Sequence, residues 1–217
     1  QVDLHRRCGQ ALDFGQRLAE SLSDVLSKRG GTAQVDVLDF CTGDVKIGLN
    51  EVAIGMPLPI FAIELAKAWP GLQATVMEID AVCAAADAYI AKAGVGERVK
   101  TRAVNMFTQD WPTGHDALFF SNVFHDWSDA TCRLLADKAF AALPSSGRIL
   151  LHEMLMDDDG CGPMATAAFS VLMLLGTRGK QYTFAELRGF LEGAGFVDVE
   201  AAPTGGGYYA LVSARKP

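Results

Sequence analysis

The run SNVFHDWSD, Ser121 to Asp129, closes a strongly apolar stretch with a histidine and an aspartate. Imidazole exchanges a proton near neutral pH, so His125 is suited to acid–base work. The plainer alternative is a hydrogen-bonded core histidine, the usual fate of an isolated His among apolar neighbours. TVMEIDAV carries Glu78, whose carboxylate can accept two hydrogen bonds at once. Its rival is Asp80, and the plain alternative is a solvated strand-end acid. VNMFTQDWP offers the carbonyl oxygen of Asn105 to an amino group, while Met106 reads equally well as core. GRILLHEMLM sets His152 and Glu153 on opposite faces of one strand. MDDDG holds three close aspartates with no second ligand cluster, which makes a solvated loop and no metal site.

Positioning these residues falls to elements that alternate along the chain. Leu12 to Lys28 has apolar residues at helical spacing, ended by RGG. Val35 to Phe40 reads as a short buried strand, Phe61 to Trp69 as a helix, and Leu72 to Ile79 as a second strand. Ala81 to Ala93 is an alanine-rich helix stopped at Gly94, and Val99 to Val104 a third strand. Asp116 to Asn122 is a fourth, followed by a helix from Ser128 to Leu143 with Ser128 as N-cap. Arg148 to Met156 is again a strand. Thr183 to Ala194 is a helix, Thr183 and Glu186 forming a capping box. FVDVEAAP and YYALVSARK are two strands joined through TGGG. Alternating strands and helices predict an α/β fold, a mainly parallel sheet covered on both faces. The last connection is too short for a crossover, so the final strand runs antiparallel to its neighbour.

Composition narrows the function classes. The 217 residues are half hydrophobic and 21% charged, which describes a soluble globular chain with one substantial core. A net charge of −7 without a basic cluster argues against a nucleic-acid partner. The apolar runs are too short to span a membrane, and the N-terminus has no signal-peptide layout. Five scattered cysteines without a C-x-x-C pair suggest neither a disulfide framework nor a zinc site, and fit a reducing cytoplasm.

From Phe61 to the C-terminus the chain resembles the S-adenosylmethionine-dependent O-methyltransferases that act on plant phenolics and bacterial polyketides. SNVFHDWSD is the most specific match, with TVMEIDAV, VNMFTQDWP and GRILLHEMLM in order around it. The resemblance implies a class I methyltransferase (Rossmann-like) sheet with an antiparallel last strand. It implies S-adenosyl-L-methionine as cofactor and a small hydroxylated molecule as methyl acceptor. His125 then corresponds to the general base, Glu153 to the acid that orients it, and Trp127 packs near the adenine. Glu78 corresponds to the acid that binds the ribose hydroxyls, with Ile79 beside it. Asn105 stands where the family usually has an aspartate, Met106 lies against the adenine, and Ser121 helps hold the methionine end. GKQYT, Gly179 to Thr183, replaces a GKERT-like turn, so Gln181 takes the place of a second carboxylate and hints at a different substrate. Residues 1–30 resemble a linking helix and 31–217 the methyltransferase domain. The family's small N-terminal winged-helix domain, which mediates homodimerisation and forms part of the substrate pocket, is expected to be absent.

One segment departs from the family. VLDFCTG begins as its first strand and turn, with Gly43 the only glycine left of a GGGSG-like loop at the cofactor. DVKIGLNEVAIGMPLP, residues 44–59, then precedes the helix and resembles a short piece of the crotonase family, in which Glu51 would match a proton-transfer glutamate. That family's oxyanion-loop glycines have no counterpart here. Three readings stand: an excursion that leaves the turn intact in space, a chimera joined at the shared FAIELA, or a region that departs from the native protein. The functional alternatives are a non-catalytic module of methyltransferase fold with impaired cofactor binding and, remotely, acyl-CoA chemistry at Glu51.

Overall fold

Apolar runs of five to seven residues alternate with longer helical patterns, and the backbone follows them. The structure, a computed structural model, describes residues 33–38 (backbone), 59–204 and 208–217. Its elements are β1 (Ala33–Leu38), α1 (Ile60–Ala68), β2 (Leu72–Glu78), α2 (Asp80–Lys92), β3 (Val99–Ala103), β4 (Ala117–Ser121) and a 3₁₀ turn (Phe124–Asp126). They continue with α3 (Asp129–Ala142), β5 (Arg148–Met154), α4 (Met164–Gly176), α5 (Phe184–Gly193), β6 (Val197–Pro203) and β7 (Tyr209–Arg215). The predicted helix Leu12 to Lys28, Gly43 and all but Pro59 of the 44–59 segment lie outside the described residues.

The strands form one sheet in the order β3-β2-β1-β4-β5-β7-β6. The first five in that order run parallel, and β7 lies antiparallel between β5 and β6. The α/β class and the reversed last strand are as expected. Parallel order brings the carboxyl ends of β1 to β5 to one edge, where ligands of such sheets collect. That edge carries Glu78, Ser121 and Glu153.

Both faces of the sheet are buried, and β4 shows how. Leu118 and Phe120 enter one core with Leu135 and Ala139 of α3 and Leu187 and Phe190 of α5. Ala117 and Phe119 enter the other with Phe61 and Leu65 of α1 and Ile90 of α2. A strand apolar on both sides is stable only in this position, and each buried Phe contributes roughly 1.5–3 kcal/mol. Gly94, at φ +71°, turns the chain out of α2 at the predicted stop. Thr183 accepts from the Glu186 amide at 3.1 Å and donates its own amide to Glu186 at 2.9 Å, the predicted capping box. Ser128 sits at the start of α3 with extended dihedrals, but its hydroxyl meets Thr131 Oγ1 at 3.2 Å and caps no amide.

One helix is absent from the sequence reading. MATAAFSVLMLLG, α4, is apolar on nearly every side, so no periodic stripe marks it. Its Leu174 and Leu175 are 73% and 80% exposed, and Thr166 is its one fully enclosed side chain.

Candidate active site

The reversal after β4 makes the site. Asn122 takes a left-handed conformation, φ +56°, which asparagine tolerates better than most residues, and its amide donates to His152 O at 3.1 Å. The chain then winds into the 3₁₀ turn that carries His125. Glu153, at the end of the neighbouring β5, reaches under this turn. Its Oε1 accepts from the amides of Val123 and Phe124 at 3.0 and 2.9 Å, and its Oε2 meets His125 Nδ1 at 2.7 Å. Both side chains are almost wholly buried, at 6% and 3% exposure. One carboxylate therefore fixes both the turn and the ring on it.

That geometry sets the proton inventory. With Nδ1–H donated to the carboxylate, Nε2 keeps its lone pair. Burial works to lower the affinity of His125 for a proton. The charge and hydrogen bond of Glu153, with the charge of Asp126, outweigh it and hold the imidazole above its ordinary 6.5. Asp126 Oδ1 lies 3.6 Å from Nε2. Burial pushes its carboxyl up to about 6, against the pull of His125.

His152 turns to the other side of β5, as alternation requires. Its Nδ1 lies 3.0 Å from Ser121 Oγ, and its ring stacks on Tyr209 at 4.5 Å. Burial pushes it down to about 3, so it is neutral and part of the fold. Ser121 is fully buried beside it.

The remaining predicted residues stand along the same edge. Glu78 is fully buried at the end of β2, with Oε2 accepting from the Ile79 amide at 3.2 Å, and Ile79 is 39% exposed. Asn105 Oδ1 accepts from the amides of Phe107 and Thr108 at 3.0 and 3.2 Å, so its carbonyl shapes the turn after β3. Met106 is buried in the core beside Trp111, whose Nε1 donates to Met106 O at 3.0 Å. Trp127 meets Phe107 edge to face at 4.7 Å, and its buried Nε1 has no partner among the described residues. His125 and Glu153 are in direct contact. Glu78, Asn105 and Trp127 share the edge without touching that pair in any described hydrogen bond.

Two contributors escaped sequence reading. Phe169 of α4 sets its ring edge-on against His125 at 5.7 Å. Gly179 packs so closely under the turn that an added Cβ would sit 2.5 and 2.6 Å from Trp127 N and O. Nothing in an apolar helix marks one phenylalanine, but the GK pair of GKQYT was a signal for the glycine. Among the described residues no cluster of side chains could hold a metal ion, and no helix is long and apolar enough to cross a membrane.

Comparison with known proteins places this geometry. The O-methyltransferase domain family matches residues 53–197, most of the chain, and begins inside the 44–59 segment. The 3-hydroxy-5-methyl-1-naphthoate 3-O-methyltransferase of Streptomyces sahachiroi is 40% identical over 156 residues, 70% of this chain and 45% of that protein. Acetylserotonin O-methyltransferase of Bos taurus is 38% identical over 156 residues, 70% of this chain and 44% of that protein. The structure of human N-acetylserotonin methyltransferase in complex with SAM superposes with a TM-score of 0.71 at 27% identity, over 96% of this chain and 56% of that one. The chain thus spans less than half the length of these two curated relatives. The crotonase resemblance of residues 44–59 gains no support from these matches.

Proposed function

This chain belongs to the O-methyltransferase domain family, and on that premise we propose that it transfers a methyl group from S-adenosylmethionine to a hydroxyl of a small aromatic or polyketide-like acceptor. The observation that carries the reading is the 2.7 Å contact between His125 Nδ1 and a Glu153 pinned by two backbone amides. A hydroxyl becomes a competent nucleophile as it loses its proton, and His125 Nε2 is the free lone pair to take it. Glu153 keeps that lone pair facing the acceptor and stabilises the imidazolium as it forms.

The cofactor, when bound, supplies an electrophilic sulfonium methyl group. The unpartnered, buried indole N–H of Trp127 and the aromatic angle it makes with Phe107 fit a flat heterocycle with hydrogen-bond acceptors. Glu78 and Ile79 would hold the ribose, Met106 and Trp127 the adenine, and Ser121 and Gly43 the remainder. Asn105 fixes the turn that carries Met106 and Phe107. The fold supports this assignment by bringing Glu78, Asn105, Ser121 and Trp127 to one sheet edge, where in-line positioning of donor and acceptor lowers the barrier; Gly43 lies outside the described residues.

A homodimeric parent enzyme fits the apolar surface that α4 leaves exposed. The free thiols of Cys83, Cys132 and Cys161 fit a cytoplasmic setting, and the family resemblance supports a place in secondary metabolism. The test is calorimetry with S-adenosylhomocysteine followed by methyl-transfer assays on phenolic acceptors. Binding by the chain, and a His125→Ala variant that binds equally well but turns over at least about a hundredfold more slowly, is the expected result. Unchanged turnover in that variant removes His125 as the base.

A further inference from the structure

The 3₁₀ turn that carries His125 is held at both ends. Glu153 fixes the histidine from β5. Trp127 leaves the turn in an extended conformation, φ −119° and ψ 154°, before α3 begins at Asp129, so its carbonyl belongs to no helix or strand. That carbonyl accepts from the Tyr182 hydroxyl at 2.6 Å and from the Cys132 thiol at 3.6 Å. Burial keeps both donors protonated, pushing the thiol up to about 12 and the phenol above its ordinary range. The hydroxyl therefore always has a hydrogen to give. Its other neighbour, Asp129 Oδ1, is farther away at 3.2 Å, on an exposed residue that water can serve.

Tyr182 is itself firmly placed. It is 2% exposed, its ring meets Phe190 edge to face at 5.3 Å, and its carbonyl accepts from the Met156 amide at 2.9 Å. Thr183, the next residue, caps α5. Nearby, the Arg178 amide donates to Asp126 O at 3.1 Å, so the same segment supports the turn through its backbone as well. A hydroxyl on so fixed a support sets the position of whatever it bonds. What hangs from the Trp127 backbone is a half-buried indole, edge to face against Phe107 at 4.7 Å. Each of these two aromatics is set by a side chain that bonds to its backbone, Asn105 at the Phe107 amide and Tyr182 at the Trp127 carbonyl. Without the hydroxyl the peptide after Trp127 can rotate, and the indole moves with it. Tyr182 occupies the place of the arginine in a GKERT-like turn, so the family pattern does not supply this hydroxyl.

We propose that Tyr182 is a positioning residue for the cofactor, its hydroxyl tethering the Trp127 carbonyl and so holding the indole where the adenine is received. This rests on the methyltransferase reading above and adds a residue that reaches the cofactor only through another. The experiment labels the full chain with 5-fluorotryptophan, which gives one fluorine NMR line each for Trp69, Trp111 and Trp127. Trp127→Phe assigns the line of interest. Tyr182→Phe removes the hydroxyl and keeps a ring against Phe190. In that variant the Trp127 line should move or split while the Trp69 and Trp111 lines stay in place. S-adenosylhomocysteine, titrated by calorimetry, should bind about five- to tenfold more weakly, the worth of one hydrogen bond. Asp129→Ala removes the hydroxyl's other acceptor, and its affinity for S-adenosylhomocysteine should stay within about twofold of wild type.

An unmoved Trp127 line in Tyr182→Phe overturns the tether. A moved line with S-adenosylhomocysteine affinity within about twofold of wild type overturns its role at the cofactor. A loss in Asp129→Ala as large as five- to tenfold, roughly one hydrogen bond, assigns the hydroxyl to α3 and overturns the proposal even where Tyr182→Phe fails to fold. A wild-type chain that does not bind S-adenosylhomocysteine removes the methyltransferase reading instead, and the fluorine lines then decide the tether by themselves.

Discussion

Replacing Glu153 with glutamine isolates what the carboxylate does. The side chain keeps its volume, and its carbonyl oxygen can still accept from the Val123 and Phe124 amides. The opposite orientation would point an NH₂ group at two N–H donors, so the amides choose the orientation. The new NH₂ then faces His125 Nδ1 at a position where a 2.7 Å contact now exists. A donor there forces Nδ1 to accept, which moves the ring proton to Nε2. The fold is preserved and the lone pair that should take the acceptor's proton is gone.

The size of the effect follows from the geometry. General-base catalysis is worth about 10²–10⁴-fold, and a histidine locked in the wrong tautomer loses most of it. At 6% and 3% exposure, little water reaches the pair to exchange the tautomer. We expect Glu153→Gln to lower kcat by about 10³-fold, or about 4 kcal/mol of barrier. Affinity for S-adenosylhomocysteine should stay within about twofold, since the carboxylate touches no proposed cofactor residue. The pH profile gives a second readout. Neutral His125 is the active form, and Glu153 holds its proton affinity above the ordinary 6.5, so wild-type turnover falls as pH drops through that raised value. Without the negative charge the acid limb moves to lower pH, even as the plateau falls. Turnover within about threefold of wild type on an unmoved profile would refute the reasoning.

Two further predictions concern the scaffold. Asp126 binds its proton more tightly in the folded chain, at about 6 against 3.8, so the stability it contributes is present below 3.8 and lost as pH rises through 6. Asp126→Asn should therefore gain stability relative to wild type across that window, by up to about 3 kcal/mol at 1.36 kcal/mol per unit. Urea melts at pH values from about 4 to about 8 measure this, and a constant difference between the two proteins contradicts it. Gly179→Ala drives a Cβ into the Trp127 backbone, which cannot yield as a flexible side chain would. It should cost about 1–3 kcal/mol by thermal melting and lower turnover more than cofactor affinity. Wild-type stability in this variant would show that the contact relaxes without consequence.

What was legible in the sequence was whatever a single element encodes. The sheet could be read because β2, β4 and β5 are apolar enough to be buried, and because stops such as Gly94 fall between the elements. Their carboxyl ends then had to lie together, so Glu78, Ser121, His125 and Glu153 could be placed at one edge before any coordinates. Alternation along β5 separated Glu153 from His152, and each is found against a different partner. Contributions that depend on two distant segments meeting were not legible. Phe169 matters only because α4 crosses the 3₁₀ turn, and α4 itself lacks the polar stripe that would announce a helix. Gly179 was visible as a turn residue, but its close approach to Trp127 is a property of the packed fold. Gln181 was visible as a lost charge, yet only enclosure makes its carboxamide an unsatisfied donor and acceptor. Strand-end chemistry is thus written locally, while the walls around it are set by packing. A substitution at Glu153 therefore tests chemistry that one strand end encodes, and one at Gly179 tests a wall that only the packed fold supplies.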